Sequence, residues 1–496
     1  MNATRPVACA SPGGSITWPG INWASCERTV SRLQARIVKA TKAGRHGKVK
    51  ALQWLLTHSL SGKALAVRRV TENQGKRTPG VDGEIWKTPA TKTRALLSLG
   101  RRGYQPQPLR RVYIPKSNGK LRPLGIPTMR DRAMQALHLL ALDPVSETTA
   151  DRHSYGFRKE RAARDALQQC FIVLCRSGRP EWVLEADIKG CFDNISHNWM
   201  LRHVPMDKQM LRKWLKAGFV DKAQWFPSEA GTPQGGVASP ALANLVLDGL
   251  ERRLSSRFSR RTCGKRSKVC LIRYADDFVI TGATKEVLEQ AESEVEAFLA
   301  ERGLMLSPEK TKITHVSDGF DFLGFNVRVY KGKLLITPSK DALAGAMRKT
   351  GGIIRENKAA TQQILIDLLN PVIRGWAYYF RHVVAKRTFH KLDDYIWKAL
   401  WRWAARRHLN KGGQWVKKRY FRTIGSRRWV FACENGKPDL LDGAKLVKLA
   451  YASDTKIRRH VKVKADANPY DPQWDKYFAA RRTVDVAGPE SGLWKA

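Results

Sequence analysis

The sequence has no CxxC pair and no Cys/His group with the spacing of a zinc module. Its eight cysteines stand apart at positions 9, 26, 170, 175, 191, 263, 270 and 433, so reduced, structural thiols are expected and bound zinc is not. No run of 18 or more apolar residues occurs, which argues against a membrane-spanning helix. The opening MNATRPVACASPGGSITWPG lacks the apolar core of a signal peptide and reads as a flexible leader, so a cytoplasmic location is expected. There is no internal repeat and no long low-complexity linker. Acidic residues are scarce: 44 Asp and Glu face 89 Lys and Arg, a formal net charge of +45. A chain this basic repels itself unless a polyanion neutralises it. Nucleic acid is the usual polyanion, with an anionic membrane surface as the other candidate.

What is present supports several domains with real cores, since 43% of the 496 residues are hydrophobic. From Trp23 to about Val70 apolar residues recur at helical spacing above a basic polar face. The runs RRVYIPK and KLRPLGI flank Asn118-Gly119 and predict a tight hairpin. Helices are expected in RDRAMQALHLLALDPVSETT and over 160–175, 208–218 and 285–302. EWVLEADIKGCFDNI reads as a strand entering a loop. GTPQGGVASPALANLVLDGLERRL reads as a glycine-rich turn opening into one long helix. GFDFLGFNVRVY reads as two short strands, and from about residue 340 the pattern is mostly helical and strongly basic. The alternation predicts an α+β fold with an antiparallel sheet, preceded and followed by helices.

Two features carry chemistry. In VCLIRYADDFVITG, apolar strands are interrupted by Asp276 and Asp277, which are turn residues rather than strand residues. In LEADIKGCFDN, Asp187 stands where a buried strand passes into a loop. Each alone reads equally as an ordinary acidic turn or a solvated strand end. If the strand ending at Asp187 and the 269–274 strand are neighbours about 4.8 Å apart, the three carboxylates meet at one sheet edge. Three carboxylates that close repel unless cations stand among them, and Mg2+ suits oxygen ligands best. Two such ions about 4 Å apart are the recurrent device of in-line phosphoryl transfer.

The ordered set ADIKGCFDN, GTPQGGVASPALAN, YADD, SPEKTK and FDFLGF resembles the palm of a reverse transcriptase. With TPGVDG, RRVYIPKSNGKLRPLGIP, SYGFRKERAARDAL and PVIRGWAYYF, the sequence is similar to the group II intron-encoded reverse transcriptase/maturases of bacterial type, from about residue 65 to 480. The resemblance implies a right-hand polymerase, with fingers and palm followed by a helical thumb/maturase domain and a small basic DNA-binding region. The boundaries expected are a leader over 1–20, an N-terminal extension and fingers over 21–180, and a palm over 181–335. A thumb over 336–435 and a DNA-binding region over 436–496 complete the set, with the reverse transcriptase domain proper at about 65–335.

It further implies that Asp187, Asp276 and Asp277 are the catalytic, metal-binding triad, with the Ile188 carbonyl as a further ligand to two Mg2+ ions and Mn2+ as the alternative metal. A primer 3′-hydroxyl attacks and pyrophosphate leaves. Phe192 stands under the incoming sugar and excludes ribonucleotides, though taken alone it reads as a core Phe. Lys116 and Arg122 would close on the triphosphate from the hairpin, where basic residues otherwise read as a solvated face, and Gln234 would line the pocket. The partners implied are the intron RNA, target DNA with its primer, and deoxynucleoside triphosphates. Many relatives continue into a nuclease with a His/Asn/His core and paired cysteines; neither is found up to Ala496, so no endonuclease is expected.

Residues 401–430 hold ten Lys or Arg and no Asp or Glu, with Trp401, Trp403, Trp415 and Trp429 interleaved. A charge run alone reads as a solvated face, but unopposed charge beside aromatics fits phosphate contact plus base stacking. Some of the tryptophans, Trp401 within IWKALWRWA above all, are expected in the core. Arg402, Arg406, Arg407, Lys417, Lys418, Arg419, Arg427 and Arg428 are the candidates there, with Arg458 and Arg459 further on. The leading reading is a polymerase that also serves as a maturase and is associated with the nucleoid when it acts on DNA. A pure RNA-binding splicing factor and a reverse transcriptase recruited to defence or spacer acquisition are the alternatives.

Overall fold

A computed structural model describes residues 16–115, 119, 121–258, 267–434 and 446–486. Most of the expected leader, Lys116, Asn118, Cys9 and Cys263 lie outside the described residues.

The basic N-terminal stretch forms three helices, α1 (Trp23–Lys42), α2 (His46–His58) and α3 (Leu60–Glu72). The breaks have local causes. Gly44 takes a left-handed φ of 66° after α1, and the Ser59 hydroxyl accepts the Gly62 N–H to cap α3. After α4 (Pro89–Ser98), strands β1 (Leu109–Pro115) and β2 (Leu121–Ile126) pair antiparallel as far as Pro115 opposite Leu121. The tight turn expected at Asn118-Gly119 falls in 116–120, where only Gly119 belongs to the described residues. The Thr128 hydroxyl accepts the Asp131 N–H to start α5 (Met129–Thr149), which is buried along most of its length. Val30, Ile37, Leu52 and Leu56 of α1 and α2 pack there against Ala141 and Val145.

Next come α6 (Ala163–Leu174), β3 (Trp182–Asp187), α7 (Cys191–Asn194), α8 (His197–His203) and α9 (Lys208–Leu215). A hairpin the sequence reading did not anticipate, β4 (Phe219–Asp221) and β5 (Gln224–Phe226), joins β1 and β2 in the order β2-β1-β4-β5. The single long helix expected after the GTPQGG turn is two, α10 (Ser239–Leu247) and α11 (Leu250–Phe258). They are broken where Gly249 takes a φ of 101° and Asp248 turns inward. Strands β6 (Cys270–Tyr274) and β7 (Asp277–Gly282), helix α12 (Lys285–Ala300) and strand β8 (Lys312–His315) follow. The second sheet runs β6-β7-β3-β8. The sequence reading set β3 beside the 269–274 strand, and this is corrected: β7 lies between them.

Strands β9 (Phe320–Phe322), β10 (Phe325–Tyr330) and β11 (Lys333–Pro338) form an antiparallel sheet. Helices α13 (Lys340–Glu356), α14 (Gln362–Phe380), α15 (Lys386–Arg406) and α16 (Gly413–Tyr420) follow. The region is not helical to its end: β12 (Phe421–Ile424), β13 (Arg427–Glu434) and β14 (Leu446–Lys448) make a further sheet before α17 (Asp475–Val486). Among the described residues no helix is long and apolar enough to cross a membrane.

Two compact units result, in a mixed α+β architecture. The first draws on the described residues up to Ala166, on Leu184–Ile313 and on Val463–Ala480; the second on Leu167–Val183, Thr314–Lys462 and the described residues from Arg481. Within the first unit the 463–480 segment is tied down by several hydrogen bonds, among them the following three. Val463 N–H donates to Asp165 (2.8 Å), Arg161 to the Ala467 carbonyl (3.1 Å), and the Tyr470 hydroxyl to Asp143 (3.2 Å). In the second, Leu365, Leu369, Phe389, Leu392, Ile396 and Phe431 are buried.

Candidate active site

The acidic hairpin closes with Tyr274 opposite Asp277, so its turn is Ala275-Asp276, and Asp277 is the first residue of β7. Ala275 takes a φ of 59°, a strained position for a residue with a Cβ. Three contacts hold it. The SYGF segment lies along β6, with Tyr155 N–H donating to the Arg273 carbonyl and Arg273 N–H to the His153 carbonyl, both at 2.9 Å. Gly156 lies so close to Ala275 that a side chain there would meet its backbone nitrogen. The guanidinium of Arg273, fully buried, donates to the Ala275 carbonyl and to Asn244 Oδ1 (3.3 Å each) and pairs with Asp248. Burial pushes the Asp248 carboxyl up to about 6 even so.

Asp187 ends β3, where Ser307 N–H donates to its carbonyl (2.8 Å) and Lys189 N–H donates to the Met305 carbonyl (3.0 Å). These bonds bracket Ile188, whose own carbonyl takes no part in the bridge to Leu306. Lys310 Nζ donates to Asp187 Oδ2 at 2.8 Å. Burial, then the Asp276 and Asp187 charges and a hydrogen bond with Asp187, push Asp277 up to about 7. Asp276 is raised by burial and by Asp187, against the pull of Arg122 and Lys310. Asp187 thus acts on both Asp276 and Asp277, and the three carboxylates share one repulsive field. Among the described residues no group of three or more His, Cys, Asp or Glu side chains is placed to hold an ion unaided. Mg2+ is usually held by one or two carboxylates and completed by substrate phosphates and water, a demand that this acidic cluster meets in its chemistry.

The glycine loop is built onto α7, the short helix that follows the strand carrying Asp187. Thr232 N–H donates to the Phe192 carbonyl (2.6 Å) and Gly231 N–H to the Ile195 carbonyl (2.8 Å); a Cβ on Gly231, whose φ is 82°, would stand 2.5 Å from the Phe192 and Asp193 carbonyl oxygens. Gln234 donates weakly to Asp193 (3.4 Å), and its carbonyl accepts the Gly125 N–H (2.8 Å), which ties the β1–β2 hairpin to the loop. Arg122 is exposed on β2 with its charge felt at Asp276. Phe192 is half-buried and meets Phe157 edge to face at 6.2 Å; Phe157 is 55% exposed with a φ of 58°.

Arg273, Gly156, Phe157 and Lys310 were not singled out by the sequence reading. Gly156, Phe157 and Lys310 stand within the quoted SYGFRKERAARDAL and SPEKTK, and for Arg273 the visible signal was a lone Arg inside the apolar VCLIRY run, because a buried charge needs a partner.

In the second unit Trp403 is 6% exposed, with its indole N–H on the Asn357 carbonyl (3.0 Å) and its ring against Tyr420 and Phe431. Trp401 and Trp429 are half-buried in one aromatic cluster with Trp397 and Phe421, and Lys417 lies over Trp429 at 4.5 Å. Trp415 is 39% exposed. Arg402, Arg406, Lys418, Arg419, Arg428, Arg458 and Arg459 are exposed. Arg407 is engaged with the Lys358 and Ala360 carbonyls, and Arg427 with Asp454 (2.7 Å).

Residues 114–327 match the reverse transcriptase (RNA-dependent DNA polymerase) family, 18–99 the N-terminal domain of reverse transcriptase, and 344–421 the maturase-specific domain of group II introns. Protein YkfC of Escherichia coli is 37% identical over 299 residues, 53% of this chain and 78% of that protein. The group II intron-encoded protein LtrA of Lactococcus lactis is 29% identical over 373 residues, 62% of this chain and 60% of LtrA. A telomerase structure from Candida albicans is similar at a TM-score of 0.35, with 10% identity over 65% of each chain, too weak to bear on the fold. By these matches the chain is an RNA-dependent DNA polymerase with a maturase domain, a member of the group II intron reverse transcriptase/maturase family.

Proposed function

We propose that the protein binds a group II intron RNA, assists its splicing and reverse splicing, and copies the inserted RNA into DNA from a primer on the target. The observation that carries the polymerase half is the meeting of Asp187, Asp276 and Asp277 in one field, with Asp277 driven up to about 7. A splicing factor without catalysis has no need of so repulsive a cluster. The maturase half is supported by the match over 344–421, which falls on the helices from α13 to α16.

In this reading the first unit supplies the fingers and palm and the 344–421 helices the thumb. Asp187, Asp276 and the Ile188 carbonyl are the metal ligands, with Asp277 beside them. Divalent cations, Mg2+ or Mn2+, would supply charge neutralisation and polarise the phosphate oxygens. The protein's own part is positioning. Arg122 presents a fork of donors to the triphosphate, with Lys116 expected beside it. Phe192, held by the Thr232 bond, sets a ring where a 2′-hydroxyl would stand, and Gln234 borders the same space. Lys310 offsets part of the Asp187 charge. The exposed basic residues of the second unit, from Arg402 to Arg459, contact RNA or DNA phosphates.

Asp276→Asn is expected to abolish primer extension on an RNA template while RNA binding persists; extension at the parental rate refutes the metal assignment. Phe192→Ala is expected to admit ribonucleotides, and unchanged sugar discrimination refutes the gate. Sequencing the RNA that stays with the natively purified protein at moderate salt tests the biology. One structured RNA containing this reading frame supports the intron role, and an unrelated small RNA indicates a recruited reverse transcriptase instead.

A further inference from the structure

Away from the carboxylates, the first unit contains a cleft of about 1170 Å3 lined by α2, α5, the α8–α9 connection and the ends of α11 and α12. That exceeds the roughly 300–1,000 Å3 of an ordinary small-molecule pocket. Two matched pairs face it: Trp54 with His58 on α2, and Trp199 with His203 on α8. In each pair the rings are 4.3 Å apart and near parallel, at 22° and 24°. In each the histidine Nδ1 donates to the carbonyl of its tryptophan, at 2.8 and 2.9 Å. The hydrogen bond and the stack fix both indoles. The Arg302 guanidinium lies over Trp199 at 4.8 Å, whereas Trp54 keeps 54% of its surface exposed.

The charges around the cleft are unbalanced. Its carboxylates are spoken for, Asp207 by Arg101 (2.7 Å), Glu301 by Arg253 (2.7 Å) and Asp248 by Arg273. Lys50, Arg202, Lys208 and Arg252 line it with no ion pair among the described residues. Burial and the nearby Lys50 ammonium push Lys208 below the usual lysine range, so like charges crowd there with no anion between them. Deeper in, the His138 ring is buried without a hydrogen bond among the described residues, and burial holds it neutral, pushed down to about 4. A neutral imidazole can both donate and accept, as the edge of a base requires.

We propose that this cleft binds an unpaired stretch of nucleic acid, one base stacking on Trp54 and the adjoining phosphates lying against Lys50, Arg202 and Arg252. An exposed, pre-oriented indole beside unpaired cations is the arrangement that takes single strands with little sequence preference. A protein segment would be favoured by free carboxylates or a wholly apolar floor, and the cleft has neither. The proposal does not depend on the polymerase site.

The test uses the full-length protein with short single-stranded RNA and DNA oligonucleotides and an RNA duplex, at moderate salt. Photo-cross-linking is mapped by mass spectrometry, alongside affinity. The single strands are expected to cross-link to the α2 peptide bearing Trp54, and the two arms show which sugar the cleft prefers. Trp54→Ala is expected to weaken single-strand binding about tenfold, with Trp54→Phe restoring most of it. Extension of a pre-annealed primer should be unchanged in both variants, which reports that the chain is folded. Cross-links confined to other peptides, equal loss in the Ala and Phe variants, or duplex binding weakened as much as single-strand binding would each overturn the proposal.

Discussion

Replacing Arg273 with Met removes the charge that joins the acidic turn to a buried carboxylate, through its bonds to the Ala275 carbonyl and to Asp248. The guanidinium is fully buried on β6, and its partner Asp248 has a side chain only 6% exposed. Asp151, buried beside it, donates its N–H to Asp248 and accepts the Gly249 N–H. Without the guanidinium, Asp248 and Asp151 keep only the more distant field of Arg158, which is already paired with Glu147, and Asp248, already raised to about 6, takes up a proton. Removing one partner of a buried pair costs about 3–5 kcal/mol. For a unit this large that corresponds to a fall in melting temperature of roughly 6–20 °C. Calorimetry and urea titration of the full chain would read it.

The double variant Arg273→Met/Asp248→Leu separates charge from packing. Arg273 Nε and Asp248 Oδ2 have no hydrogen-bond partner among the described residues, so the pair is imperfectly satisfied, and an apolar pair should recover most of the loss. Primer extension should stay low in both variants, because neither restores the donor to the Ala275 carbonyl. The deficit of the single variant should shrink as pH falls, since protonated Asp248 needs no cation. A loss below about 1 kcal/mol, or a double variant as unstable as the sum of the two single ones, would refute the reasoning.

Two further outcomes are expected. Asp143, raised to about 6 by burial, binds its proton more tightly folded than unfolded; the stability it contributes is greatest below about pH 4 and is lost as pH rises to 6, so Asp143→Asn should remove that fall when stability is compared at pH 4 and 7. Trp403→Ala should destabilise the second unit by about 3–5 kcal/mol, whereas Trp415→Ala should leave its unfolding within about 0.5 kcal/mol and weaken RNA binding instead.

The sequence announced the strands around YADD, the helix over 129–149 and the acidic end of β3, because period-2 apolar runs and turn residues are local signals. It did not reveal the break after α10, although Gly249 stood in the pattern: in a helical run one glycine is tolerable, and only the ion pair of Asp248 with Arg273 makes the turn necessary. The hairpin β4–β5 was missed because it consists of two three-residue strands, too short to show alternation. The fate of the tryptophans was equally hidden. The sequence reading expected Trp401 above all in the core, yet Trp403 is the buried one and Trp401 is half-buried, because burial follows from which helix face meets Tyr420, Phe421 and Phe431. Lys310 belongs to this class too, since its meeting with Asp187 depends on the 305–307 segment bridging to the end of β3.

The misjudged strand order bears directly on the site. Had β3 lain beside β6, Asp187 would face the strand that enters the turn, and Asp276 and Asp277 would differ little in their approach to it. With β7 between them, Asp187 meets the strand that leaves the turn, whose first residue is Asp277. That is why Asp277, rather than Asp276, shares a hydrogen bond with Asp187. Asp276 is left in the turn itself, on a backbone held by Gly156 and Arg273 and within the field of Arg122. The two adjacent aspartates thus differ in kind. One is braced against the neighbouring strand, and the other is presented from a strained turn whose geometry three separate stretches of chain combine to hold.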